Sequence, residues 1–250
     1  MTGDLTDRWT LASAFDRAAP TYDAMVALSP GYHDQLRSAG EAAAEALGRS
    51  AGPEVTALDL GCGSGASTRE LLAALTALVE GGSTGVTLTG VDASAGMLAQ
   101  ARAKTWPPGV SFVHDDALAF LRTKPAGSTD AVLTAYLLRN VPDRDALLDE
   151  VRRVLRPGGV LVVHDYSVAG SRRAQLVWAL VCHLVIIPLS HVKRSDPGLH
   201  RYLYRSVRDF DSVEAVGARL TRAGFTQVRH RSYAGWQRGL VHTVVGRVPV

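Results

Sequence analysis

Along the middle of the chain, short apolar runs alternate with longer amphipathic stretches. Residues 55–60 form a brief apolar run that ends next to an acid and predicts a buried parallel strand. From Ala66 to Val79, leucines at 71, 72, 75 and 78 recur at the spacing of a helix. The pattern repeats, with strands expected at 86–92, 110–114, 130–136 and 160–164 and helices at 95–104 and 144–155. Arg156-Pro157-Gly158-Gly159 should break the last helix from the last strand. Strands alternating with helices in this way predict an α/β fold with a parallel, doubly wound sheet. Upstream, 11–48 reads as mostly helical with a break at Ser29-Pro30-Gly31. Downstream, 174–189 reads as an apolar helix, and 190–203 as a polar stretch containing Pro197-Gly198. A helix is expected at 211–223, capped by Asp211 or Ser212. Residues 225–232 and 240–248 read as an antiparallel pair of edge strands.

Neither an internal repeat nor a low-complexity linker divides the 250 residues, and Gly81 to Gly85 reads as a turn before a strand. One domain is expected: a helical cap over 1–50, a ligand-binding core over 51–166, a lid over 167–210, and a closing helix with edge strands over 211–250. Cys62 and Cys182 cannot supply a disulfide framework, and none of the eight histidines has metal-ligand company, so no metal is implied. The N-terminus lacks a basic-then-apolar leader pattern, and 174–189 is short for a membrane span and holds Gln175, His183 and Pro188. A cytoplasmic setting fits. The net charge of +3 is unevenly spread: from His191 onward there are eleven Lys/Arg against four Asp/Glu. No basic block is interleaved with aromatics, which argues against nucleic acid as a partner. A basic C-terminal third could face an anionic membrane or be simply solvated.

Candidate chemistry begins after the first strand. Gly61, Gly63 and Gly65 alternate there, one residue tighter than the dinucleotide pattern and without the Lys-Ser/Thr of a triphosphate loop. Such a turn lets a ligand approach the backbone at a helix N-terminus. In an open parallel sheet, ligands sit beyond the carboxyl ends of the strands. Acids stand at three consecutive ends: Asp59, Asp92, and Asp115-Asp116 followed by Ala117. Asp92 could accept ribose hydroxyls and the Asp115-Asp116 pair an adenine amino group, with Ala93 and Met97 beside them; Asp92 and Ser94 could equally cap a helix.

Leu58 to Gly65, Gly90 to Leu98, Asp116-Ala117 and Arg153 to Gly159 resemble the successive motifs of class I S-adenosylmethionine-dependent methyltransferases. Leu138-Arg139-Asn140-Val141-Pro142-Asp143 narrows the likeness to the ubiquinone/menaquinone biosynthesis C-methyltransferases, as do Asp165-Tyr166-Ser167, Ala223-Gly224-Phe225, Tyr22-Asp23 and the stretch from Leu28 to His33. The resemblance implies a seven-stranded Rossmann-like sheet, S-adenosyl-L-methionine as cofactor with S-adenosyl-L-homocysteine as product, and a hydrophobic quinol or phenol acceptor such as a demethylmenaquinol. Arg205 stands where that family carries an acid, and Tyr136-Leu137 replaces its usual Phe-Gly. Both departures fall where the acceptor should bind.

Aromatic carbon attacks only when an attached hydroxyl loses its proton, so a cation is needed near that oxygen. Arg139 is the first candidate, with Asn140 orienting a water or the oxygen and Tyr22 contacting the sulfonium or the acceptor. Asp165, His33 or His164 could take the departing ring proton. Arg139 could instead pair with Asp143 or Asp145, and His164 could be a structural histidine. The 174–189 helix has three readings: lining an acceptor pocket, touching a bilayer as a peripheral contact, or plain core. Monomer and homodimer both remain open. Two other functions compete: methylation of a secondary metabolite at carbon or oxygen, and a cofactor-binding scaffold or recruited cyclase that transfers no methyl group.

Overall fold

The computed structural model describes residues 8–26, 31–48, 51–79, 85–186 and 197–250. Seven strands form one sheet: β1 Val55–Leu60, β2 Val86–Asp92, β3 Val110–His114, β4 Thr129–Ala135, β5 Leu155–Tyr166, β6 Thr226–Ser232 and β7 Val241–Arg247. Their order is β3-β2-β1-β4-β5-β7-β6. Strands β1 to β5 pair in parallel, and β7 runs antiparallel to both β5 and β6. The helices are α1 Arg8–Val26, α2 Tyr32–Leu47, α3 Ala66–Leu78, α4 Ala95–Arg102, α5 Ala117–Thr123, α6 Arg144–Val154, α7 Arg172–Val181, α8 Pro197–Arg208 and α9 Val213–Arg222.

Alternate residues of each central strand bury on opposite faces of the sheet, as the two-residue repeat requires. Leu58, Leu60, Val132, Leu161 and Val163 join α6 and α9 in one core layer. Ala57, Ala131, Leu133, Val160 and Val162 meet α2 and α3 in the other. Gly40 of α2 lies so near α3 that a Cβ there would stand 2.7 Å from the Glu70 carbonyl oxygen, so glycine is needed for this close approach. Helix starts follow the sequence signals. Ser94, Asp116, Asp143, Ser171 and Ser212 each accept a backbone N–H from three residues on.

The structure departs from the sequence expectations in four places. Residues 156–159 belong to β5, where the pairing jumps from Thr129↔Leu155 to Ala131↔Val160 and the Pro-Gly-Gly residues bulge out of the ladder. Helix α5 has only seven residues, too few to show a helical repeat. Helix α8 begins at Pro197, because a proline in the first helical position forfeits no hydrogen bond. Helix α7 ends at Val181 and passes into a π-helical turn over Cys182–Ile186. The expected break at Ser29-Pro30, the turn over Gly81 to Thr84 and the stretch 187–196 lie outside the described residues. Among the described residues, no helix is long and apolar enough to cross a membrane.

Candidate active site

A cleft opens beyond the carboxyl ends of β1, β2, β3 and β4, roofed by α1 and the start of α2. Gly61 and Gly63 line it, with φ of +73° and +54°. Asp92 at the end of β2 is held by two backbone donors: Gly63 N–H to Oδ2 and Ser94 N–H to Oδ1, each 2.8 Å. Burial raises its pKa against those two bonds. Ala93, Met97, Asp115, Asp116 and Ala117 line the same end. Asp116 also caps α5, and Asp115 accepts the Asp116 N–H.

Two residues expected to hold cofactor lie elsewhere. Gly65 is the N-cap of α3, and a Cβ on it would stand 2.8 Å from the Trp106 ring. Asp59 is wholly buried beneath the turn, where Oδ2 accepts the Ser67 and Thr68 hydroxyls at 2.7 Å each. Its Oδ1 has no partner among the described residues, and burial pushes its pKa up to about 6. A carboxyl raised above its unfolded value stabilises the fold at low pH, and that contribution is lost as pH rises from about 4 to about 6. In the cofactor-free protein, Asp59→Asn therefore gains up to ~3 kcal/mol on the wild type between pH 4 and pH 6, at 1.36 kcal/mol per unit. Urea midpoints of both proteins across that range measure the difference, and equal slopes would contradict it.

At the other end of the cleft, Tyr136 follows β4 with φ +58°, a left-handed conformation unusual for an aromatic residue. This kink aims its carbonyl at Arg139 Nη1 (3.0 Å) and Asn140 Nδ2 (3.1 Å). Arg139 lines the cleft and forms a buried ion pair with Asp165, which also accepts the Arg139 backbone N–H. Burial raises the Asp165 carboxyl, and the Arg139 charge pulls it back down. Arg139 Nε is buried without a partner among the described residues. Of the two pairings read from sequence, Asp143 and Asp145, neither forms: Asp145 takes Arg219 instead, and Asp143 caps α6.

Of the three groups read as acceptors of the ring proton, none is placed for it. Asp165 lies under the cleft and is occupied by Arg139. His164 is fully buried, with Nδ1 on the Thr243 hydroxyl and Nε2 on the Tyr136 hydroxyl, and burial pushes it down to about 3. His33 is exposed and does not line the cleft. Asn140 lines the cleft, but its amide is engaged at both ends, Nδ2 on Tyr136 and Oδ1 accepting the Tyr202 hydroxyl at 3.0 Å. Tyr22 does line the cleft, and burial raises its pKa, so its hydroxyl keeps its proton.

The aromatic wall was largely missed from sequence. Tyr136 stacks between Tyr32 (5.7 Å) and Tyr166 (5.1 Å), and Trp178 tilts against Tyr166 at 5.2 Å. No local spacing could foretell a stack assembled from α2, β4, β5 and α7. The roof is latched at two points. Asp16 of α1 accepts the Ser94 hydroxyl (2.6 Å) and the Gly96 N–H (2.8 Å). Asp23 accepts the Ser64 hydroxyl and pairs with Lys104, whose ammonium also donates to the Ser64 carbonyl. Tyr202 of α8 packs beside Leu11, Ala14 and Ala18 while holding Asn140, so it ties lid, cap and Arg139 turn together. Tyr202→Phe forfeits one hydrogen bond, about 1 kcal/mol. Its expected result is a several-fold rise in acceptor KM with S-adenosylhomocysteine affinity unchanged, read by steady-state kinetics and calorimetry.

This sheet order, with a glycine turn after β1 and acids after β2 and β3, defines a class I S-adenosylmethionine-dependent methyltransferase. More narrowly, the chain belongs to the ubiE/COQ5 methyltransferase family, whose sequence pattern matches residues 4–246. It is 33% identical over 230 residues to a demethylmenaquinone methyltransferase of Beutenbergia cavernae, covering 92% of this chain and 88% of that protein. A demethylmenaquinone methyltransferase of Tropheryma whipplei is 35% identical over 186 residues, 74% of this chain and 71% of that one. Among solved structures, the fold is similar to the methyltransferase CalH in complex with S-adenosylhomocysteine, with a TM-score of 0.59 and 18% identity over 98% of this chain and 60% of that one. The CurJ carbon methyltransferase gives 0.55 and 18% over 79% and 49%. The cofactor is S-adenosylmethionine, and the cleft fits it. Gly61 and Gly63, which carry no side chains, line the cleft, and Asp92 and Asp116 bring carboxylates to the end beyond β2 and β3.

Proposed function

We propose that the enzyme methylates a ring carbon of a demethylmenaquinol-type prenylated quinol, working at the inner face of a membrane where such a lipid resides. The observation that carries this reading is Arg139. Its guanidinium is fixed by Asp165 and the Tyr136 carbonyl, reaches the cleft, and keeps Nε without a partner among the described residues.

In this reading Gly61 and Gly63 leave room for the methionine portion, Asp92 accepts the ribose hydroxyls, and Asp115, Asp116 and Ala117 border the adenine. The bound cofactor supplies an electrophilic methyl group on its sulfonium. Arg139 stabilises the phenolate that makes the ring carbon nucleophilic. Tyr32, backed by Tyr136, offers an aromatic surface to the acceptor ring, and Tyr22, protonated, closes the cleft from the cap. Among the described residues no histidine lines the cleft and Asp165 is occupied, so the ring proton leaves to water as the product rearomatises. The roof over the cleft aligns the reactants and limits water.

Leu137 favours a second reading. It presses on the glycine turn, since a Cβ at Gly61 would lie 2.9 Å from the Leu137 Cβ, and it narrows the floor beside Arg139. A more compact phenolic secondary metabolite would suit that floor. Turnover measured by mass on a short-chain demethylmenaquinol and on a panel of soluble phenols separates the two. Preference for the quinol supports the first reading. A phenol turned over in its place would overturn it.

A further inference from the structure

Helix α7 and the π-helical turn that continues it are apolar on two sides. One face, Ala174, Trp178 and Cys182, is buried against Val207, Leu240 and Val241. Two residues further round, at the same four-residue spacing, Leu176, Leu180 and Leu184 are 61%, 48% and 69% exposed. Within α7, Leu176 and Leu180 lie about 200° round from Ala174 and Trp178, and Leu184 continues the exposed line into the π-helical turn. Among the described residues, the only other large hydrophobic side chain so exposed is the C-terminal Val250. A helix buried on one side ordinarily turns polar residues to water on the other, so this line marks an apolar partner.

The surrounding charge identifies that partner. Among the described residues of 167–208 there are five arginines and no acid. Arg172 and Arg173 are exposed at the start of α7, and Arg201 and Arg205 are exposed on α8, which packs against α7; Arg208 is also exposed there but pairs with Asp209. Apolar side chains beside a basic surface match the headgroup and acyl boundary of an anionic bilayer. Three leucines fall well short of the ~800 Å² per partner of a stable protein interface. The helix that carries this face also borders the acceptor side of the molecule, because Trp178 on its buried side contacts Tyr166, which stacks on the cleft-lining Tyr136.

We infer that Leu176, Leu180 and Leu184 insert into the surface of an anionic membrane, with the neighbouring arginines on its headgroups, and that this seats the acceptor end of the cleft at the bilayer. The purpose assigned to this contact rests on the prenylated acceptor proposed above, whereas the contact itself does not. The test is flotation of the full chain with phosphatidylcholine vesicles, with and without phosphatidylglycerol, in the absence of acceptor. The wild type is expected to float with the anionic vesicles and to release as salt is raised. Leu176→Asn/Leu180→Asn/Leu184→Asn is expected to lower that partition roughly tenfold or more, given the transfer energy of an exposed leucine. The triple variant should keep its thermal midpoint, its affinity for S-adenosylhomocysteine and its turnover of a short-chain soluble acceptor. Wild type that stays with the aqueous phase, or a variant that floats as well as wild type, overturns the inference. A wild-type dimer by light scattering that the triple variant dissolves also overturns it, by assigning the face to a second copy. Failure to methylate a quinol would leave the vesicle result standing, so the two proposals fail separately.

Discussion

Arg139→Ala lowers the unfolding free energy at neutral pH by about 3–5 kcal/mol, because it leaves a buried carboxylate without its counter-charge. The Arg139 and Asp165 side chains are 6% and 3% exposed, and the pair is reinforced by the Arg139 backbone N–H to Asp165. Asp165→Ala strands the guanidinium instead and costs a similar amount. The double variant removes both charges and should cost about as much as either single change, far less than their sum. Chemical denaturation of the four proteins closes that cycle; additive losses would mean that the two groups do not depend on each other. The pH dependence gives a second readout. Burial already raises the Asp165 carboxyl, and removing the opposing Arg139 charge raises it further. A carboxyl raised above its unfolded value stabilises the fold below that value and loses this contribution as pH climbs. Arg139→Ala should therefore recover stability relative to wild type as the pH falls below neutral. All three variants lose methyl transfer, but only Arg139→Met at a pH where the variant is shown to be folded isolates the chemical role of the guanidinium from its structural one.

Asp92→Ala should weaken S-adenosylhomocysteine binding by at least a hundredfold while leaving the fold largely intact. In the proposed role its carboxylate accepts two ribose hydroxyls, and hydrogen bonds to a charged group contribute about 1.5–3 kcal/mol each. The same side chain fixes the glycine turn through the Gly63 N–H and orders the start of α4 through the Ser94 N–H, so its loss also loosens the surface on which the cofactor lies. Asp92→Asn keeps one acceptor oxygen and should fall between wild type and alanine. Since burial raises this carboxyl, wild-type affinity should decline on acidification at a higher pH than an ordinary aspartate would dictate. Isothermal calorimetry across pH measures both effects. Affinity in Asp92→Ala within a few-fold of wild type would remove this residue from the cofactor site.

The end of the cleft built on β1, β2 and β3 was legible in the sequence because its parts are local. A strand, a glycine turn and a helix follow one another from Val55 to Leu78, and acids close β2 and β3 within two residues of the strand ends. Asp59 shows the limit of that reading. It ends its strand as expected, yet it points into the core and holds Ser67 and Thr68 of α3. The other end, around Arg139, was only partly legible. The Leu138-Arg139-Asn140 turn announced itself, but the partners of Arg139 and Asn140 come from Asp165 and Tyr202, 26 and 62 residues further on. Spacing along the chain carries no trace of such pairings. Helix α8 was obscured by its opening proline and glycine; Tyr202 stood in a family-like segment, but its hold on Asn140 could not be read. The exposed leucines of α7 were readable as apolar residues, but only the packing of Trp178 and Cys182 shows which face is left outside.

The most direct measurement uses S-adenosylmethionine carrying a deuterated methyl group, with a short-chain demethylmenaquinol held reduced, and locates the label in the product by fragmentation. The account predicts one deuterated methyl on a ring carbon. A label found on a hydroxyl oxygen, or cofactor bound tightly with no labelled quinol formed, would contradict it.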